Sequence, residues 1–245
     1  MLYAILGDIH SNLEAFRAVL KDLADKDGFD QIWCLGDVVG YGPDPCACIE
    51  LLRRHAHICV AGNHDWASIE RADISEFNLV AAYACLWTSK QLDSDDVDYL
   101  GNLPEVVSQG DFTIVHGSPR QPLWEYVLSA SVANQNIDYF DTKYCLVGHS
   151  HVPLVYTYDE ALHECKSIDI SDGYSFKFAE QRLIINPGGV GQPRDGNPKA
   201  SYMLYNSDAG TLSHHRIDYN FSKTQAKMTK HNLPDLLIER LAYGY

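Results

Sequence analysis

The chain opens on an apolar block, LYAIL at 2–6, that reads as a strand, and then changes period. Through SNLEAFRAVLKDLADK the apolar positions Leu13, Phe16, Val19, Leu20 and Leu23 fall at steps of three and four, the spacing of one helix face. Ser11 or Asn12 can cap the start of that helix, and Gly28 stands just past its end. QIWCL at 31–35 predicts a second strand, the turn-rich GDVVGYGPDP a loop, 46–55 a helix and HICVA at 57–61 a third strand. Strand and helix alternating at this spacing imply right-handed crossovers and parallel pairing. Functional residues in such sheets gather just beyond the carboxyl ends of the strands.

Residues 76–101 read as helical, and DFTIVHG (111–117) and KYCLVGHS (143–150) resume the strand pattern. Short strands are expected at 154–158, 181–186, 200–206 and 211–219, then amphipathic helices at about 221–231 and 234–243. With no linker, repeat or low-complexity stretch, the pattern predicts one α/β domain over 1–245: two packed sheets flanked by helices, with a helical C-terminal extension over about 221–245.

Composition narrows the function classes. Hydrophobic residues make up 46% and charged residues 21%, ordinary for a globular protein with a substantial core. The start MLYAILGDIHSN lacks the basic region and cleavage site of an export signal, and no run is long enough to span a bilayer. A cytoplasmic protein without a membrane partner is therefore expected. The net charge of −14 argues against binding long nucleic acids, which need a basic surface. The seven cysteines are scattered, and Cys46 and Cys48 lack the second pair of a zinc cluster, so reduced thiols fit better.

The predicted core strands end alike: an apolar run stops at or beside a glycine, and a side chain able to bind metal follows. AILGDIH supplies Asp8 and His10, WCLGDVV Asp37, CVAGNHD Asn63, His64 and Asp65, TIVHGSPR His116, and CLVGHSH His149 and His151. Any one of these could merely cap a turn. Five in succession at one sheet edge offer carboxylate, amide and imidazole donors without thiolate, a set suited to first-row divalent metals. The donors outnumber the sites of one four-coordinate ion, and two ions sharing a carboxylate suit phosphoryl-ester hydrolysis. HAH at 55–57 has the spacing of HSH at 149–151 but lies at a helix end beside Arg53 and Arg54, where positive charge opposes a metal.

GDIH, GDVV, GNHD, VHG and GHSH, in this order and spacing, resemble the calcineurin-like metallophosphoesterases over residues 1 to about 215. The resemblance implies two mixed β-sheets packed face to face with helices outside, and two divalent cations, manganese first and iron, zinc or nickel as alternatives. By motif, Asp8, His10 and His151 would hold one cation and Asn63, His116 and His149 the other, with Asp37 bridging. His64 would face the substrate, steadying the phosphoryl group or protonating the leaving oxygen, with Asp65 orienting it. The implied reaction is hydrolysis of small phosphate mono- or diesters by a hydroxide bridging the metals.

Arg120, Arg194 in the glycine-rich segment 186–202, and Tyr41 are candidates for substrate contact. Gly40 and Tyr41 stand where the protein phosphatases and bis-nucleoside tetraphosphatases usually carry Asp-Arg, and Asp65 replaces their glutamate. This points away from phosphoprotein substrates and toward the small bacterial and archaeal phosphodiesterase branch. The alternatives are a non-catalytic scaffold of the same fold, which lacks the His64 equivalent, and a nuclease acting on short nucleic acids.

Overall fold

In the computed structural model, which describes residues 1–26 and 28–245, two six-stranded sheets stack face to face. The first is built from β1 (Leu2–Leu6), β2 (Gln31–Cys34), β3 (His57–Cys59), β9 (Ser175–Lys177), β11 (Ala200–Asn206) and β12 (Thr211–Ile217) in the order β3-β2-β1-β11-β12-β9. The second takes β4 (Val106–Gln109), β5 (Phe112–Val115), β6 (Tyr144–Leu146), β7 (Pro153–Asp159), β8 (Glu164–Ile168) and β10 (Leu183–Pro187) in the order β4-β5-β6-β10-β7-β8.

β1, β2 and β3 pair in parallel, as do β5, β6 and β10. β11 runs antiparallel to β1, and β7 antiparallel to β10, so both sheets are mixed, as the family resemblance implied.

Alternation explains why the central strands are apolar throughout. Ile5, Trp33, Leu35 and Met203 point into the space between the sheets and meet Phe112, Ile114, Leu146 and Ile185 there. Ala4, Leu6, Ile32 and Cys34 point outward onto α1 (Leu13–Asp25), which returns Phe16, Val19 and Leu23. On the second sheet, Val115, Cys145 and Ile184 face Ala133 of α6 (Ala130–Asn136) and the following Ile137. Strands covered on both faces cannot show the polar alternation of a half-exposed sheet. Asn12 caps α1, its side chain accepting from the Ala15 amide at 3.2 Å.

α2 (Pro45–Arg53) starts one residue before its expected boundary, and β3 stops at Cys59, two residues before its own. The helical region at 76–101 divides into α4 (Leu79–Ser89) and α5 (Ser94–Gly101), because Asp93 caps a new start by accepting from Asp96 N at 2.9 Å. The strand expected at 143–150 ends at Leu146, freeing 147–151 to turn at the sheet edge. α7 (Phe221–Lys230) lies where expected; the last helix shortens to α8 (Asp235–Glu239), followed by a 3-10 turn over Arg240–Ala242. Met228, Leu233, Leu237 and Leu241 of this segment pack with Tyr41, Ala81 and Ala84, so the C-terminal helices border the loop after β2. Among the described residues no helix is long and apolar enough to cross a membrane.

Candidate metal centre

Instead of one sheet edge, β1, β2 and β3 of the first sheet and β5 and β6 of the second bring five loop starts to one end of the sandwich. Asp8 N donates to Gly36 O and His10 N to Asp37 O within the first sheet, Gly148 N to His116 O within the second, and Val190 N to Gly7 O between the two. α3 (Asn63–Ala67) begins directly after the third loop's glycine and carries Asn63, His64 and Asp65 in its first turn. Each chain must turn sharply off its strand to aim a side chain back over the edge. Asp8, His10, Ser11, Asp37, Tyr41, His149 and His151 all have φ between 47° and 63°. The left-handed region costs an ordinary residue about 1–2 kcal/mol, and such strain concentrates at functional sites. Close approach matters too: at Gly62 an added Cβ would lie inside the Asp37 carboxylate.

Two donor groups result. One ligand atom from each of Asp8, His10, Asp37 and His151 lies within 4.8 Å of the others, and so do those of Asp37, His116 and His149. Asp37 belongs to both, and Asn63 Oδ1 lies 3.0 Å from His116 Nε2. Every candidate ligand is at least 96% buried.

The hydrogen bonds fix the tautomers. His10 Nδ1 meets Val39 O at 3.0 Å, His116 Nδ1 meets Leu35 O at 2.8 Å, His151 Nδ1 meets Gln192 O at 2.5 Å, and His149 Nε2 meets Trp124 O at 3.2 Å. A carbonyl only accepts, so each of these nitrogens carries a ring proton, and in the neutral His10, His149 and His151 the other nitrogen is left bare. The second ring nitrogens face one another: the bare His10 and His151 Nε2 at 3.1 Å, and His116 Nε2 and the bare His149 Nδ1 at 3.1 Å. Asp8 Oδ2 and Asp37 Oδ2 are buried there without a donor. Lone pairs and carboxylate oxygens turned on each other need a shared cation, and the donor set fits divalent metal.

The titration behaviour agrees. Burial, reinforced by the Asp37 charge, pushes the Asp8 carboxyl up to about 7. Burial and Asp65 raise Asp37 well above the carboxylate range. Burial, with surrounding positive charge, drives His10, His149 and His151 well below the ordinary imidazole value, so all three are neutral at pH 7.

His64 sits at the rim, its ring centroid 4.9 Å from His10 and 4.3 Å from Tyr41. Burial and Arg194 lower its pKa far enough to keep it neutral. Its Nδ1 lies 3.3 Å from Cys85 Sγ, and burial holds that thiol up at about 12, so Cys85 retains its proton. A thiol donating to Nδ1 leaves the ring proton on Nε2. Asp65 takes a different place from the one expected: its two oxygens accept from Val39 N and Gly62 N, both at 3.0 Å. Through these bonds it fixes the start of α3, the turn that carries His64.

The three substrate candidates separate. Tyr41 is buried edge-on to His10 at 4.6 Å, and the Arg194 guanidinium lies 5.6 Å from the Tyr41 ring centre, so both border the cluster. The Arg120 guanidinium is paired with Glu125 and with Gln135 Oε1. The segment after it contributes in other ways, through Trp124 O and through Tyr126, which stacks on His149 at 3.9 Å. Neither these nor Cys85 carried a signal: a carbonyl has none in sequence, and Cys85 lies in an apolar helix like any core thiol. The control pair behaves differently, His57 meeting His55 O and Tyr99 Oη at 2.9 Å each.

Comparison with known proteins gives consistent matches. The model of the calcineurin-like phosphoesterase superfamily domain matches residues 1–210. An uncharacterised protein of Methanocaldococcus jannaschii is 36% identical over 248 residues, spanning 99% of this chain and 98% of its own. A crystal structure of a metallophosphoesterase from Sphaerobacter thermophilus superposes with a TM-score of 0.90 at 48% identity, covering 100% of this chain and 99% of the other. A symmetrical bis(5'-nucleosyl)-tetraphosphatase of Pseudomonas putida is 32% identical over 82 residues, 30% of this chain and 28% of that protein.

Proposed function

This chain belongs to the calcineurin-like phosphoesterase superfamily, and we propose that it hydrolyses small phosphate mono- or diesters with two divalent cations, manganese foremost. One observation carries the reading: two pairs of imidazole nitrogens turned on each other at 3.1 Å and two donorless carboxylate oxygens are buried together. A cluster with a purely structural role would have acquired donors or been replaced by apolar side chains.

Asp8, His10 and His151 would hold one cation, Asn63, His116 and His149 the second, and Asp37 both, a division supported by the two donor groups that share Asp37. Bound there, divalent cations supply charge neutralisation and water activation. The backbone carbonyls of Val39, Leu35, Gln192 and Trp124 hold the imidazoles in the ligating tautomer throughout.

His64 offers its Nε2 proton to a phosphoryl oxygen and steadies the charge that develops on it. Its lowered pKa favours hydrogen bonding from a neutral ring over proton delivery by an imidazolium. Arg194, beside Tyr41 at the rim, adds positive charge that attracts an anionic ester in a chain of net charge −14.

The test is a manganese-loaded assay of an aryl phosphate monoester against the corresponding diester, with elemental analysis of the same sample. Hydrolysis of at least one by protein holding two cations is expected. Bound cations without hydrolysis of either would favour the scaffold reading.

A further inference from the structure

Gln192 joins two parts of the molecule. It is buried, with 2% exposure; its main-chain oxygen anchors His151, and its side-chain Oε1 accepts from two arginines. Arg194 approaches through Nε at 3.2 Å and Nη2 at 2.8 Å, and Arg240 through Nη1 at 3.2 Å. Arg240 comes from the 3-10 turn after α8, outside residues 1–210 matched by the family domain, and its Nε also donates to the Tyr245 main chain.

Two guanidiniums on one amide oxygen repel each other, and burial and the Arg194 charge together lower the Arg240 pKa. The arginine ion pairs among the described residues are Arg54–Glu50, Arg120–Glu125 and Arg216–Asp195, so neither Arg194 nor Arg240 is offset in this way. Cations at the Asp8 and Asp37 cluster would leave this positive charge in greater surplus. A cavity of about 520 Å³ opens beside Arg240, walled by Tyr41, Leu79, Val80, Leu236 and Tyr245, and Arg194 lies 5.6 Å from the ring centre of its Tyr41 wall. That volume suits a small molecule, and Leu79, Leu236 and Tyr245 are 90%, 56% and 55% exposed along it.

We propose that Arg194 and Arg240 form a subsite for a second phosphate, so that the preferred substrate is a phosphate ester with one further phosphoryl group and a flat apolar moiety lodged between Tyr41, Leu79 and Tyr245. The proposal rests on the reading that the scissile phosphate lies at the metal cluster. Arg194 Nη1 and Arg240 Nη2, which make none of these bonds, can each donate to a phosphate oxygen, and the aromatic walls suit a planar ring. The C-terminal helices thereby set selectivity for a centre built entirely by the preceding strands.

The test uses the full chain loaded with manganese. Calorimetry measures the affinity of ADP and of AMP for the wild type, Arg240→Gln and Arg240→Lys, with aryl phosphate hydrolysis followed in parallel. The wild type is expected to bind ADP roughly tenfold tighter than AMP, the worth of one charged hydrogen-bonding partner. Arg240→Gln should erase that ratio and Arg240→Lys restore part of it. Equal affinities in the wild type, or a ratio untouched by Arg240→Gln, would overturn the subsite while aryl phosphate hydrolysis left the phosphoesterase reading standing. Absence of hydrolysis in the wild type would instead count against that reading.

Discussion

Replacing Asp8 by asparagine should stabilise the metal-free protein. Burial is the main cause that pushes the Asp8 carboxyl up to about 7. A carboxyl raised on folding contributes stability that is fully present below its ordinary value near 4 and is lost as pH rises toward 7. At pH 8 the folded chain must hold the ionised group at a cost of about 4 kcal/mol; at pH 5 the cost is about 2 kcal/mol. Asp8→Asn removes the charge and keeps an oxygen at the Oδ1 position to accept from His149 N at 3.1 Å. Metal-free Asp8→Asn should therefore gain up to about 4 kcal/mol at pH 8, a rise of roughly 8–16 °C for a chain of this size, and clearly less at pH 5. With manganese the order should reverse, because the wild type gains a ligand that the variant binds poorly. Thermal unfolding with chelator or manganese at both pH values measures all four cases. A metal-free Asp8→Asn less stable than the wild type at pH 8 would falsify the reasoning, since the carboxylate would then be a structural asset.

Two further perturbations probe the site separately. His64→Ala should reduce turnover by roughly 2–4 orders of magnitude while elemental analysis finds metal content intact; a variant at full activity refutes the assigned role. Gly62→Ala drives a methyl into the Asp37 carboxylate and should cost about 1–3 kcal/mol, lowering the unfolding temperature and the manganese retained after desalting; unchanged values of both would show that the close approach is immaterial.

The sequence exposed the centre more fully than its surroundings, for a physical reason. Asp8, Asp37, Asn63, His116, His149 and His151 each follow a buried strand, and parallel pairing within each sheet together with the stacking of the two sheets gathers them. Strands covered on both faces, such as LYAIL and FTIV, announce themselves as unbroken apolar runs. β8 and β9 escaped because they lie at sheet edges with mostly exposed side chains, and ECKSI and SFK carry no apolar period. α6, ASVANQN, is only seven residues long and is recognisable mainly through the Ser129 cap. The shell around the metals was less legible still. Val39, Leu35, Gln192 and Trp124 act through main-chain oxygens, which leave no trace in residue type. The position of Arg120 beyond a ligand suggests a phosphate contact, whereas its pairing with Glu125, five residues on, has no motif in the sequence. Arg240 had no motif at all, and only the return of the C-terminal helices across Tyr41 brings it to Gln192.

The central claim is that one cluster of buried donors holds two cations, and anomalous diffraction from a manganese-soaked crystal addresses it directly. Two peaks about 3.5–4 Å apart, one among Asp8, His10 and His151, the other among Asn63, His116 and His149, with Asp37 contacting both, are the expected result. A single peak, or none at full manganese exposure, would contradict it.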